Sequence, residues 1–442
     1  MLFLFWRTRS RIANFILFAV WARYMMSAYH AVTYTASPVG LSWNALGSCF
    51  IFGLGLLVID LRLLRLRYFL PVYVLIAVIA LSGIVNRDFS GTANAMIKYG
   101  YLLVLACGTC EALQKYGEQR LLRLLIWAFV PLIVFQGLSV VLDISKATEA
   151  DGSISYIGGY NHEAAFSIAL ATAFIVTAFV KDIHVLVKGA LLAIILVGLL
   201  LANYRTAILA IVPTLFVQFA IGSMEMFPRR QRAAIGISMT LVCFIAAIIA
   251  GSLMADRYRD IATLLTSGAD LIKPPNEFTR SEGQVLSGRL AIWSEYLYAY
   301  AAGSDLQKLL GFGANAWIGV FSYYAHNTIV SQLYEYGIAG VLALFYMWTS
   351  MLIAAARVAS NTRARLVGAH LSFILLSLAT MPLWMIEGYI FYGLVCGYTL
   401  FLLASAASSL RGRGVLNVEE GVRPAIRVSS LPAMKIGGHS SM

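Results

Sequence analysis

A chain of 442 residues that is 60% hydrophobic and only 12% charged cannot be an ordinary soluble domain, which carries about twice that charge. Its formal net charge of +12 is a membrane-topology signal and not a nucleic-acid signal, because basic residues of membrane proteins collect in cytoplasmic loops. The five cysteines (Cys49, Cys107, Cys110, Cys243 and Cys396) all lie in or beside apolar runs, which excludes a disulfide framework and reads Cys107-Gly-Thr-Cys110 as packing.

Apolar runs of about 20 residues, each long enough to cross a bilayer as a helix, recur from end to end. They predict an all-α polytopic membrane protein with about twelve spans, near 12–30, 43–60, 68–85, 95–113, 124–142, 163–180, 185–203, 206–222, 233–254, 327–354, 366–386 and 389–407. Arg7, Arg9 and Arg11 precede the first run as in a signal peptide. Arg23 interrupts that run and its length exceeds a signal core, so it reads as a retained helix.

The loops divide by charge. Arg62, Arg65 and Arg67 follow the second span, Lys115, Arg120 and Arg123 the fourth, and Lys181 the sixth. Arg229, Arg230 and Arg232 follow the eighth, Arg357, Arg363 and Arg365 the tenth, and Arg411 and Arg413 the last. The alternate short loops hold little, Arg87 and Lys98 in one, Lys146 in another and none in 31–42, so both termini are expected in the cytoplasm.

Residues 256–325 then fall outside, in a loop too long to be a mere connector. Within it, Ser287-Gly288-Arg289 leads into Leu290, Trp293 and Leu297, the spacing of a short amphipathic helix capped by Ser287. Gly311-Phe312-Gly313 and Asn315 mark a turn after it. The domain organisation is thus a transmembrane region over 1–413, including this loop, and a disordered basic tail over 414–442 that can touch anionic lipid.

This topology brings several polar residues to one surface. Arg205, in LANYRTAILA, lies between the seventh and eighth spans; Arg289 is in the large loop. His326 and Asn327 close that loop, Glu335 follows a little more than two turns later, and Asn161, His162 and Glu163 open the sixth span. Each alone has a plain alternative. An arginine at a helix end snorkels to headgroups, Arg289 can be a solvated loop residue, and a histidine at a helix start can be merely interfacial. Asn327 can be only a cap, and Glu335 can be held by a neighbouring tyrosine. Arg23 and Glu387 read as structural. Anchoring, however, does not require a shared face.

Two guanidinium groups there offer permanently charged forks for phosphate oxygens. A helix N-terminus near His326 adds positive potential, which favours anions and keeps the imidazole neutral and able to accept a proton. Phosphate-binding groups beside a neutral base suggest attack by a hydroxyl on a phosphate-activated carbon. No nucleotide is supplied outside the cell, so the donor would be lipid-linked. No acidic cluster for a metal is visible, and charge on the departing diphosphate would fall to the arginines.

Four segments resemble the O-antigen ligase superfamily, which includes O-antigen and exopolysaccharide polymerases. They are GGYNHEAAF, LANYRTAIL (with Tyr204 where the family has serine), SGRLAIW followed by LLGFGANAW, and AHNTIVSQLYEYGIAG, together covering about 155–345. The resemblance implies a GT-C-like membrane glycosyltransferase of the bacterial inner membrane. It would transfer glycan with inversion from undecaprenyl diphosphate at the periplasmic face, without cofactor or metal. Arg205 and Arg289 would bind the diphosphate, His326 would activate the acceptor hydroxyl, and Asn327 would support that histidine. Asn161, His162 and Glu335 would complete the substrate-binding set, Glu335 chiefly as a brace. The acceptor is another lipid-linked repeat unit for a polymerase, the reading adopted, or lipid A–core for a ligase. Further partners implied are inner-membrane lipids, a chain-length regulator and a flippase. A transporter of the same lipid-linked sugar is the alternative of another class; carriers tend to bind at the bilayer midplane between repeats, and no repeat is visible here.

Overall fold

The computed structural model describes residues 8–147, 154–226, 228, 230–238, 241, 272–279, 288–358 and 362–421. Two units are distinguished, Met1–Leu403 and Ala404–Met442. The helices are α1 (Arg11–Ala28), α2 (Trp43–Val58), α3 (Leu70–Asn86), α4 (Phe89–Tyr116), α5 (Glu118–Val141), α6 (Glu163–Phe179) and α7 (Val185–Leu201). They continue as α8 (Arg205–Met226), α9 (Arg289–Ala301), α10 (Asp305–Leu310), α11 (Thr328–Ala356), α12 (Arg363–Ala379) and α13 (Ile386–Gly421). Among the described residues the strand content is one antiparallel pair, Lys146–Ala147 with Ile154–Ser155, so the fold is all-α.

The helix starts follow local chemistry. The side chains of Ser42, Asp88 and Asn327 accept hydrogen bonds from first-turn N–H groups of α2, α4 and α11, and Pro71 sits in the first turn of α3, where its missing N–H costs nothing. Helix α9 begins one residue later than its expected cap. Gly288, in the left-handed conformation at φ 82°, is the N-cap and supplies no capping side chain, while Ser287 lies outside the described residues.

Among the described residues, five helical segments are long and apolar enough to cross a membrane: Arg67–Asn86, Phe89–Tyr116, Glu118–Val141, Thr328–Ala356 and Ile386–Ala406. Trp43–Val58, Glu163–Phe179, Val185–Leu201 and Arg205–Ala220 are equally apolar but shorter. Of the expected ninth span, 233–254, most lies outside the described residues; of the tail expected to be disordered over 414–442, residues 414–421 are instead the helical end of α13, and the rest lies outside the described residues. Large apolar side chains such as Leu57, Val141 and Leu186 stand exposed around the bundle, a perimeter suited to lipid. All 17 residues of α6 are buried, as expected of a helix apolar on every side, and α5, α7 and α8 pack against it. Cys107 and Cys110 are buried, free thiols of α4.

The bundle has two chemically different ends. At one, the loops after α4, α6 and α11 meet: Lys181 Nζ is 3.1 Å from Thr362 Oγ1 and 3.9 Å from Glu118 Oε1. At the other, the N-termini of α6, α8, α9 and α11 converge. Between the ends, Arg23 of α1 forms a two-point ion pair with Glu387 of α13, Nε to Oε1 at 2.9 Å and Nη2 to Oε2 at 3.2 Å. Ser27 Oγ donates to the same carboxylate at 2.6 Å, and Asn44 accepts from the guanidinium. This matches the structural reading of both charges.

Candidate functional site

The site end is built on a break in α11. Gly337 sits at φ 67°, ψ −166°, a conformation open to glycine and strained for other residues, which interrupts the helix. The carbonyls of Tyr334 and Glu335 consequently lose their helical partners and accept instead from the loop, Phe312 N at 2.9 Å and Gly313 N at 3.0 Å. A Cβ on Gly311 would strike the Glu335 backbone, and one on Gly337 would strike that of Leu309, so the two glycine positions interlock. Asn86 Nδ2 donates to Gly311 O at 3.1 Å and Ser82 Oγ to Glu335 O at 3.2 Å, fixing α3 to the same junction.

On this frame the segment 323–327 is held from α9. Trp293 Nε1 donates to Ala325 O at 2.8 Å and the Tyr296 hydroxyl to Tyr323 O at 3.0 Å. Arg289 lies one turn before Trp293 on the same helix face, so these bonds bring its guanidinium to the neighbourhood of His326. Arg289 Nη1 also donates to Thr206 Oγ1 at 3.3 Å, tying the start of α9 to the start of α8, where Arg205 is the first residue. His162 approaches from the start of α6: its ring centroid is 6.4 Å from Tyr324, which lies 3.9 Å from the ring of His326.

His326 itself adopts φ 50°, uncommon for a residue with a side chain, and is held there by Trp293 on one flank and the α11 cap on the other. Its Nδ1 is buried without a hydrogen-bond partner among the described residues. Burial, the Arg289 guanidinium and His162 together pull the imidazole down to about 3 from its usual 6.5, so it is neutral at physiological pH. His162 Nδ1 accepts from Ala164 N at 3.1 Å as the cap of α6.

Of the expected residues, the structure thus gathers His326, Arg289, His162 and, through Thr206, Arg205. The other three do different work. Asn327 Oδ1 accepts from Ile329 N at 2.8 Å and Val330 N at 3.3 Å, as a helix cap. Glu335 is buried, accepting from Asn315 N at 3.0 Å and Ser331 Oγ at 2.8 Å, so it braces the 311–315 loop. Asn161 is exposed, with its Oδ1 3.2 Å from Lys146 Nζ. Sequence reasoning missed an aromatic wall: Trp384 stacks on Tyr324 with centroids 5.5 Å apart, and Trp317 meets both rings edge-on. The one available signal was the aromatic richness of Trp317, Tyr323 and Tyr324 just before His326. Among the described residues no group of three His, Cys, Asp or Glu could hold a metal ion.

No family model and no curated protein matches the chain.

Proposed function

We propose that the protein transfers a glycan from a lipid-linked diphosphate to an acceptor hydroxyl, as an exopolysaccharide or O-antigen polymerase of the bacterial inner membrane. On this reading the chain has about twelve spans in a GT-C-like arrangement, with both termini cytoplasmic and the His326 end facing the periplasm. The observation that carries it is the juxtaposition of a neutral, half-buried imidazole with an arginine that begins one helix and is bonded to the start of another. Helix N-termini and guanidinium groups are complementary to a diphosphate; an unprotonated ring nitrogen is complementary to a hydroxyl proton.

The step balances without a further reactant. The acceptor oxygen forms a bond to the anomeric carbon from the face opposite the diphosphate. The bond from that carbon to the phosphate oxygen breaks, and its electron pair leaves with the diphosphate. The hydroxyl proton passes to His326. Arg205 and Arg289 stabilise the growing negative charge on the leaving group, where preorganised charge contributes most. A base held as low as about 3 is weak in the empty site. The incoming diphosphate opposes the field of Arg289 and raises the basicity of His326 when it is needed.

Deleting the gene tests the proposal by what accumulates. Undecaprenyl diphosphate carrying a single repeat unit on the periplasmic side is the expected result. Long glycan still on that lipid, beside bare lipid A–core, identifies a ligase acting through the same chemistry. Repeat units stranded on the cytoplasmic side identify a transporter and contradict the proposal.

A further inference from the structure

Behind the aromatic wall lies a second polar space that the site does not use. It is bounded by α4, α11, the segment before α13 and Tyr389 of α13, and the polar side chains that line it include Lys98, Tyr99, Gln332 and Glu335. Its volume is about 30 Å³, room for roughly two waters. Lys98 stands in the third turn of α4, well inside the helix. Its ammonium donates to Trp384 O at 3.0 Å and lies 5.8 Å over the Trp384 ring, which leaves two of its three N–H donors uncommitted. Gln332 is 6% exposed and its Oε1 has no hydrogen-bond partner among the described residues; the hydroxyl of Tyr99, a residue 2% exposed, has none either.

Buried donors and acceptors without partners are costly and persist where something polar comes to meet them. Lys98 shares the lining with the acid Glu335, so the space is not a concentrated positive site that would select an anion. It offers two donors from Lys98, an acceptor on Gln332, a group on Tyr99 that can do either, and two aromatic faces, Trp384 and Tyr389. That is the complement of neutral hydroxyl groups on a ring with an apolar face. Vicinal hydroxyls of a sugar in gauche arrangement stand at nearly the separation of two hydrogen-bonded waters and can replace a water pair bond for bond. Trp384 forms the partition: one side lines this space, and the other stacks on Tyr324, which contacts His326. Asn315 Oδ1 accepts from Trp384 Nε1 at 3.2 Å, so the partition is anchored at both its backbone and its ring.

We infer that the Lys98–Gln332 cavity is a sugar subsite that seats the vicinal-diol edge of a neutral pyranose next to the transfer centre. This rests on the glycan-transfer reading and names the part of the substrate recognised away from the reacting atoms. The test is saturation-transfer NMR on the full-length protein in nanodiscs, with the methyl glycosides of glucose, galactose and mannose as probes. At least one glycoside should receive saturation on its vicinal-diol edge. Lys98→Met and Gln332→Leu should each reduce that signal about tenfold, the loss expected from one charge-assisted or buried hydrogen bond. Gln332→Leu keeps the volume of the side chain and serves if Lys98→Met fails to fold. Arg205→Ala should leave the signal intact, which separates this subsite from the diphosphate clamp. Should no glycoside show saturation that depends on Lys98 or Gln332, the cavity holds water only and the inference is wrong, whatever becomes of the transfer reading. Should the glycoside signal stand while gene deletion strands repeat units in the cytoplasm, the subsite survives and the transfer chemistry does not.

Discussion

Two regions of this bundle bring charge into an apolar interior and treat it in opposite ways. At Arg23 and Glu387 every guanidinium nitrogen and both carboxylate oxygens have a partner: two bonds join guanidinium to carboxylate, Ser27 adds a third, and Asn44 accepts from the remaining nitrogen. At His326 and Arg289 the matching is incomplete. Nδ1 of the histidine is unpartnered among the described residues, the neighbouring helix start carries no capping side chain, and the arginine donates to a threonine hydroxyl instead of a carboxylate. A closed charge network holds helices together; an open one waits for a ligand. The comparison teaches where to look for function: in the bonding capacity left over, and not in the charge itself.

The comparison breaks most readily at His326. His326→Ala should lower single-turnover transfer by about 10²–10⁴-fold, the usual worth of a general base, while thermal stability stays near that of the parent protein. Unchanged turnover would remove the histidine from the mechanism. Glu387→Ala should do the reverse, costing about 3–5 kcal/mol of stability by leaving Arg23 buried and unpaired. The double variant Arg23→Met with Glu387→Met should regain most of that loss, because two apolar side chains can replace a closed pair. A double variant as unstable as Glu387→Ala would mean that the pair does more than join α1 to α13.

The smallest expected effect sharpens the contrast through pH. With the imidazole held down to about 3 by burial, Arg289 and His162, its base form is already complete well below the ordinary value of 6.5. The kcat/KM profile, which reports the free enzyme, should therefore stay level as pH falls to about 5 and decline only below it. The acid limb of kcat, which reports the donor-bound state, should lie at higher pH, since the diphosphate offsets the arginine. A kcat/KM profile that halves near 6.5 would show a solvated histidine free of that field.

Much of this organisation can be read from the chain alone, and the reasons for the failures are specific. Ser42, Asp88 and Asn327 announce helix starts because capping is decided within four residues. The turn at Gly311–Asn315 is legible from its glycines, and the structure gives Gly311, Gly313 and Asn315 positive φ. That Gly311 locks into Gly337 is not legible, because the contact depends on a helix break whose purpose appears only in three dimensions. Arg23 and Glu387 lie 364 positions apart, and no local pattern pairs them. Lys98 was assigned to a sparse loop because a lone lysine in a greasy run looks like an edge; α4 in fact begins nine residues earlier, at Phe89, capped by Asp88. Asn161 was expected at the site from its neighbours in sequence, but Lys146 takes its side chain outward, with Lys146 Nζ also 2.7 Å from Asn161 O.

The central claim is that the start of α9 and His326 form one receptor for a lipid diphosphate and divide the labour of holding it and reacting with it. Equilibrium binding of an undecaprenyl-diphosphate-linked glycan to nanodisc-embedded protein measures that division directly. Arg289→Ala should weaken binding at least about tenfold, as expected for a lost charge-assisted contact, while His326→Ala binds as the parent protein does. Equal affinity in Arg289→Ala and the parent protein, with the fold intact, would contradict the account.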